Sequence, residues 1–458
     1  MQLKCIRVAG NGKISVFAGR RMFTGRLQNL NYFSCVGMLQ CQQFETKETQ
    51  RKCFVQMSIE SAKCRQSRQR LFRIGFFVLS TLLMIGMVWF GITTDFDFGR
   101  DAIPGTSFPR GRVIELSSDD TEVDGTGFRR GMQTARVEVL SGEHRGLVVE
   151  ARNVIFIDAP MYAEVGRVYI IALSEIGVYP DGSPSFQANL HSYVRDTQIY
   201  IIGAFFLVLL AVIGGKSGVS SAFGLVFTFV TLLFFLIPAI IRGAPPALAT
   251  IIVSIVVTAV SLIAIMGFAK KTWVSIVGTV IGIALYCLSY IIIAALLGIT
   301  GANTPDFTRL MLVGFNDFDN VAQLLFCGIL IASLGAVMDT SVSVASATAE
   351  LAEAGGKLEF RELFKTSMRM ARDCVGSSAN TLILAFTGTF FVSLILFYTH
   401  GLDYTMLINR IDIAIEVLRA ISSSIGMVLC APFTALIGSY AYRRVQGVED
   451  KQSKRKHV

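Results

Sequence analysis

A single carboxylate, Asp339, interrupts a long apolar stretch of this sequence. It lies in the segment LGAVMDTSVSVASATAEL, residues 334–351, and no basic residue follows before Lys357. An ionised acid in the middle of a membrane-spanning helix costs about 2.5–3.5 kcal/mol on insertion scales, so such residues usually face protein or water. Asp339 is therefore a candidate site for a cation or a proton. The alternative is a structural or interfacial carboxylate, because the acid falls near the end of its apolar run.

Other polar residues belong to the predicted helices around this acid. Asn380 and Thr381 begin a later apolar run, where Asn380 is a natural hydrogen-bond partner for Asp339, and Ser343 follows Asp339 on the same helical face. Pro432 removes one amide from the last run and frees a carbonyl group. Freed carbonyls line ion and substrate sites in transporters, although kinks are also ordinary packing features. These five residues form the predicted ion or substrate pathway.

Four glycines predict where helices pack. Gly278 and Gly282 form a GxxxG pair, and Gly328 and Gly335 share the helical face of Asp339. Small residues allow a neighbouring helix to approach closely. We therefore expect Asp339 to point at protein rather than at lipid.

The composition indicates which elements position these residues. The chain has 458 residues, of which 52% are hydrophobic and 16% charged. A membrane-spanning helix needs about 20 largely apolar residues. Eight such runs occur, at 71–92, 197–214, 219–241, 246–269, 273–299, 321–340, 380–400 and 420–442. The predicted fold class is an all-α polytopic membrane protein with about eight transmembrane helices.

Lysine and arginine in the loops predict the orientation, because they accumulate on the cytoplasmic side. The loops on one side contain Lys216, Lys270, Lys271, Lys365, Arg369 and Arg372, and the last sixteen residues, 443–458, are also basic. We expect both termini in the cytoplasm, residues 93–195 outside, and a seven-helix membrane domain at 196–442.

The N-terminal segment 1–70 alone carries a charge of +10, and since the whole chain carries +9, the rest of it is close to neutral. It holds thirteen Lys or Arg and three Glu, without a periodic apolar pattern. We expect a disordered basic leader, or a start of translation near Met57 that leaves residues 1–56 outside the protein.

The predicted external segment shows β-strand patterns. Strand-like runs such as RGRVIEL (110–116), ARVEVLSG (135–142) and GRVYIIAL (166–173) alternate with turns. They suit a small antiparallel β-domain, and an OB-like barrel is one candidate. With no Lys, ten Arg and fifteen acids, the segment does not fit nucleic-acid binding. A wall component, a cation or a protein partner are the alternatives, together with a purely structural cap.

No set of residues in the sequence predicts catalysis, a metal site or a cofactor. GGKSG (214–218) lacks the first glycine of a phosphate-binding loop, since Leu210 stands there. Ser217 and His400 are predicted on opposite sides of the membrane, so they cannot form a catalytic pair. We therefore expect the protein not to be an enzyme.

Four segments together resemble the YibE/YibF-like family of bacterial multipass membrane proteins. They are GAVMDTSVSVASATAEL, RDCVGSSANTLILAF, EVLRAISSSIGMVLCAPFTAL and, in the external segment, VEVLSGEHRG. The resemblance covers about residues 70–445. It implies a bacterial plasma membrane and about eight spans, and it leaves the activity open.

Two functions fit the sequence. The first is a permease or exporter of a small solute or ion, driven by a cation or proton gradient. The second is an envelope sensor or scaffold whose external β-domain binds a wall component or protein partner. The expected partners are the lipid bilayer, a small solute or cation, and further copies of the chain in a homo-oligomer.

Overall fold

The computed structural model divides into two compact units, Met1–Ser80 and Thr81–Val458. The structure describes residues 7–9, 13–18, 21–26, 72, 74–93, 106–123, 125, 127–155, 160–178, 184–304, 307, 310–311, 318–354, 359–401 and 403–442.

Three short strands lie in the first unit. They are β1 (Arg7–Ala9), β2 (Lys13–Ala18) and β3 (Arg21–Arg26), which pair as an antiparallel sheet in chain order. Most of the predicted leader, including Met57, lies outside the described residues, so its disorder and the start site stay predictions.

A six-stranded sheet follows the first membrane helix, as the β patterns predict. Its strands are β4 (Thr106–Ser107), β5 (Arg110–Val123), β6 (Arg129–Val139), β7 (Val148–Ile155), β8 (Val168–Val178) and β9 (Pro184–Tyr193). The pairings run β5–β6–β7–β9–β8 and return from β8 to β5. Only β7 and β9 are parallel among these pairs. This small β-domain exists as predicted.

Alternation of side chains builds the core of the β-domain. Inward-facing Val113, Val137, Tyr169 and Ile171 are fully buried, with 0% exposure each. Successive residues of a strand point to opposite faces, so the residues between them are solvated. The core is formed entirely within the domain.

Most of the remaining described residues belong to one π-helical turn, Leu232–Leu236, and to nine helical segments. They are α1 (Ile74–Ile92), α2 (Asp196–Thr231), α3 (Ile237–Ile241), α4 (Pro246–Met266), α5 (Lys270–Leu296), α6 (Phe318–Ala354), α7 (Phe360–Thr399), α8 (Tyr404–Ile408) and α9 (Ile411–Tyr442). Among the described residues, seven helices are long and apolar enough to cross a membrane, counting Asp196–Ile241 as one. The prediction of a polytopic helical membrane protein is confirmed.

The segment Asp196–Ile241 contains two predicted spans rather than one. Its 46 residues would reach about 69 Å as a straight helix, roughly twice the hydrocarbon thickness. Gly215 breaks it with φ 54° and ψ −132°. A Cβ at Gly218 would lie 2.1 Å from the carbonyl oxygen of Leu210, although residues eight apart in a helix are separated by about 12 Å. The chain therefore reverses at the GGKSG segment, which gives eight membrane-length segments in the described part of the chain.

The bundle is assembled around α9, which packs against α5, α6 and α7. On another side, α4 packs against α2, α5 and α6. The start of α2 and the end of α7 are mostly exposed. These two segments consist mainly of apolar residues, as contact with lipid requires.

Candidate functional site

Small and hydroxyl-bearing residues form the contact among α5, α6 and α9. A Cβ at Gly278 would lie 2.2 Å from Oγ1 of Thr434 and 3.2 Å from Oγ of Ser341. A Cβ at Gly282 would lie 2.4 Å from Cγ1 of Val337. Because there is no room for a side chain at either glycine, both allow the helices to touch.

A buried thiol, Cys430, lies at the centre of this contact. Its Sγ donates to the carbonyl oxygen of Gly278 at 3.3 Å and lies 2.9 Å from Oγ of Ser341. Oγ1 of Thr434 donates to the carbonyl oxygen of Cys430 at 2.9 Å. Pro432, half-buried in α9, stands between these two residues. The contacts join three helices, so this cluster is a packing centre.

Asp339 lies near the middle of the membrane-spanning bundle. It precedes Ser341 by two residues, and Ser341 meets Gly278 of α5. Gly278 follows the first residue of α5, Lys270, by eight residues. At 1.5 Å per residue, Asp339 is about 15 Å from the level of Lys270, half of a hydrocarbon core of about 30 Å. Asp339 is therefore not near the end of the bundle. The sequence had left open such a position, because the acid falls near the end of its apolar run.

The side chain of Asp339 is on the outward face of α6. The exposed residues of this face recur at helical spacing and are Gly328, Ala332, Gly335, Asp339, Ser343 and Glu350. At Gly328 and Gly335 an added Cβ would meet nothing within 4 Å. The expectation that this face packs against protein is therefore wrong within the described chain. The helix is held by its opposite face, which contributes Val337, Ser341 and Val344 to the core.

The next helix, α7, begins at Phe360, twenty residues before the predicted start of its span at residue 380. Its early part is packed, because Ala371 shares an apolar cluster with Val344 of α6 and Ala431 of α9. Residues that the sequence placed in a loop therefore lie beside the same part of α6 that carries Asp339.

Asn380 and Thr381 are both exposed on α7. Oγ1 of Thr381 donates to the carbonyl oxygen of Ser377 in its own helix at 3.0 Å. No hydrogen bond connects Asn380 with Asp339 in the described part of the chain. Asp339, Ser343, Asn380 and Thr381 thus lie on exposed faces of two neighbouring helices, apart from Pro432.

Two basic residues of α7 also belong to these exposed faces, although the sequence did not predict it. Arg369 and Arg372 are helical and exposed, whereas the sequence placed them in a loop. A signal was present, because Phe364, Met368, Ala371 and Val375 recur every three or four residues and all belong to one cluster. That spacing predicts an amphipathic helix with the arginines on its polar side.

A polar cluster in the β-domain differs from the exposed polar residues of α6 and α7, because its side chains form hydrogen bonds with one another. Oε1 of Gln133 accepts from Nδ2 of Asn153 at 3.0 Å and from the backbone N–H of Ala163 at 2.8 Å. The carboxylate of Asp119 accepts from the hydroxyl of Thr121 and the amide of Gln133. The Thr121 hydrogen bond, more than any other contact, lowers the pKa of Asp119 below its usual value. This cluster stabilises the domain.

The chemistry available at the outward face is that of one carboxylate with amide and hydroxyl neighbours. Such a set can bind a cation or exchange a proton. Across the described residues, no group of three His, Cys, Asp or Glu side chains is placed to hold a metal ion.

Comparison with known proteins identifies a family. The model of a protein family described as YibE/F-like protein matches residues 202–444, which include all five predicted pathway residues. Neither the curated proteins nor the solved structures contain a match.

Proposed function

The chain belongs to the YibE/F-like family, and from this premise we propose that it is a permease or exporter of a small solute or ion. The observation that carries the proposal is the position of Asp339, at mid-depth and on a face that its own chain leaves uncovered. A carboxylate at this depth is unfavourable in contact with hydrocarbon, so it faces water or another protein surface. If the face is in contact with water, this water forms the path along which the solute or ion moves.

The proposed energy source is a proton or cation gradient. A carboxylate that is reached from water can take up a proton or a cation on one side of the membrane and release it on the other. Asn380 and Ser343, which are exposed on α7 and α6, supply polar groups beside the same path. Thr381 is exposed on α7 beside Asn380 and belongs to this path as well, whereas Pro432 lies in the packing centre.

The proposed location is the plasma membrane, with both termini in the cytoplasm. Lys270 and Lys271 at the start of α5 support this orientation, because cytoplasmic loops are enriched in lysine and arginine. The β-domain is then external. Its ring of five paired strands, with β7 and β9 parallel, supports an OB-like barrel.

Thiol accessibility tests the proposal. Asp339→Cys, Gly335→Cys and Asn380→Cys are placed singly in a cysteine-free variant and treated with a membrane-impermeant reagent from each side. The matched control is Phe433→Cys, because Phe433 is 40% exposed on α9 and adjoins Thr434, which reaches the same depth as Ser341. We expect labelling at 339 and none at 433.

The gradient distinguishes a pathway from a static cleft. Labelling of Asp339→Cys that moves between sides when the proton or cation gradient is reversed supports transport. Protection at 335, 339 and 380 under every gradient contradicts the permease.

A second function has a specific observation in its favour. The close contacts of Gly278 and Gly282 with α6 and α9 support a rigid membrane platform for an external sensor or scaffold domain. In that case the three cysteine variants stay protected, and deletion of the β-domain removes the cellular phenotype while membrane insertion is unchanged.

A further inference from the structure

The outward surface of α6 and α7 carries charges of both signs. Asp339 and Glu350 are exposed on α6, and Lys365, Arg369 and Arg372 are exposed on α7. Among the residues that the structure describes, none of these five is paired in a salt bridge. Acids and bases thus lie on adjacent helices of the same chain without meeting each other.

These charges lie at matching depths. Val344 of α6 and Ala371 of α7 share one packing cluster and mark a common level. Glu350 is six residues beyond Val344 and Lys365 is six residues before Ala371. Since the two helices are antiparallel, both charges lie about 9 Å from that level on the same side.

Asp339 and Arg372, which lie deeper in the bundle, are also close to each other in depth. Asp339 lies about 7.5 Å on the other side of the common level and Arg372 about 1.5 Å on that side. The long guanidinium side chain of Arg372 extends across a difference of this size. An acid row on α6 (Asp339 and Glu350) and a base row on α7 (Lys365, Arg369 and Arg372) therefore run at corresponding depths, and α7 also exposes the acids Glu362 and Asp373.

We propose that a second copy of this chain covers this surface. In the dimer, the acids of α6 face the bases of α7 in the partner subunit, and the contact occurs twice. The dimer is compatible with the proposed transport function if water remains between the two copies at Asp339, and a scaffold would need the same cover over that acid.

Symmetry favours a second copy over a different protein. A two-fold axis along the membrane normal preserves depth, so α6 of one copy meets α7 of the other with the two rows already in register. Gly328, Ala332 and Gly335 leave α6 without bulky side chains on this face, which allows close approach. The result is a four-helix contact that pairs the charges and removes Asp339 from lipid.

Cross-linking between two tagged copies tests the dimer. Glu350→Cys in one cysteine-free copy and Lys365→Cys in the other are co-expressed and oxidised in native membranes. The control replaces Glu350→Cys by Tyr440→Cys. Tyr440 is 58% exposed on α9. Gly438 of α9 meets Thr348 of α6. Since Tyr440 and Glu350 each lie two residues beyond these contact residues, they have the same depth. We expect the Glu350–Lys365 cross-link and no Tyr440–Lys365 cross-link.

Charge exchange tests the pairing itself. Glu350→Lys should raise the dissociation constant of the dimer about tenfold, as expected for two lost surface ion pairs with added repulsion. Adding Lys365→Glu in the same chain should restore it. The readout is fluorescence transfer between labelled chains as the lipid-to-protein ratio increases, with thermal unfolding as the control for folding.

Three results overturn the dimer: a wild-type chain that is monomeric at every dilution, equal cross-linking at the control position, or a charge exchange that restores nothing. Because the readout is association, it is distinct from the test of transport. A cross-linked dimer that protects Asp339→Cys under every gradient retains the dimer and contradicts the permease.

Discussion

The two faces of α6 are made of similar residues and have opposite surroundings. The inward face contains Ser341 and Val337 at the glycine contacts of α5, and both are buried. The outward face contains Gly335 and Ser343, which are exposed. Small residues therefore line both faces of this helix, and the chain itself covers only the inward face.

The difference shows what a small-residue stripe means. Such a stripe permits close approach, whichever partner approaches. On the inward face the partners are α5 and α9 of the same chain. On the outward face the mid-depth carboxylate requires cover, which the inferred second copy provides.

The largest expected effect comes from adding one methyl group to each face. Gly282→Ala places a Cβ 2.4 Å from Cγ1 of Val337, and overpacking of this kind costs about 1–3 kcal/mol. Gly335→Ala meets nothing within 4 Å and gains helix propensity of up to about 1 kcal/mol. The free energies of unfolding in detergent should therefore change in opposite directions. Equal changes would show that the two faces do not differ.

A second matched pair uses serine on the two faces. Ser341→Val enlarges a fully buried side chain and removes the hydroxyl that lies 2.9 Å from Sγ of Cys430, which should cost about 1–2 kcal/mol. Ser343→Val changes an exposed residue and should stay within about 0.5 kcal/mol. Chemical unfolding of both variants measures the difference, and a larger loss for Ser343→Val would contradict the assignment of the faces.

The sequence predicted the parts of this fold that depend on local patterns. Apolar runs of about 20 residues gave eight spans, and alternation gave the strands of the β-domain. The start of α7 was missed because its arginines suggested a loop, although Ala371 packs in the bundle. The exposure of Asp339 was not predicted either, because hydropathy identifies small and apolar residues without identifying which surface they meet.

The β-domain offers a paired carboxylate to compare with Asp339. Thr121 holds the pKa of Asp119 below its usual value, so the ionised form is favoured in the folded domain. Its contribution to stability is complete above the unfolded pKa of about 3.9 and is lost as the pH falls through the lower folded value. Asp119→Asn should therefore unfold with a weaker pH dependence below about pH 4 than the wild type. Thermal unfolding between pH 2 and 7 measures it, and identical profiles would contradict a stabilising role of the Asp119 carboxylate.

The smallest effect on folding is expected at Asp339 itself. Asp339→Leu changes an exposed side chain, so the unfolding free energy of single chains at high detergent-to-protein ratio should change by less than about 0.5 kcal/mol. The same variant should reduce fluorescence transfer between chains in lipid, because the acid row of α6 loses its mid-depth charge. A carboxylate that served the fold of one chain would behave in the opposite way: its loss would cost about 1–3 kcal/mol in the monomer and leave association unchanged. The two measurements together therefore decide whether the outward face of α6 belongs to one chain or to two.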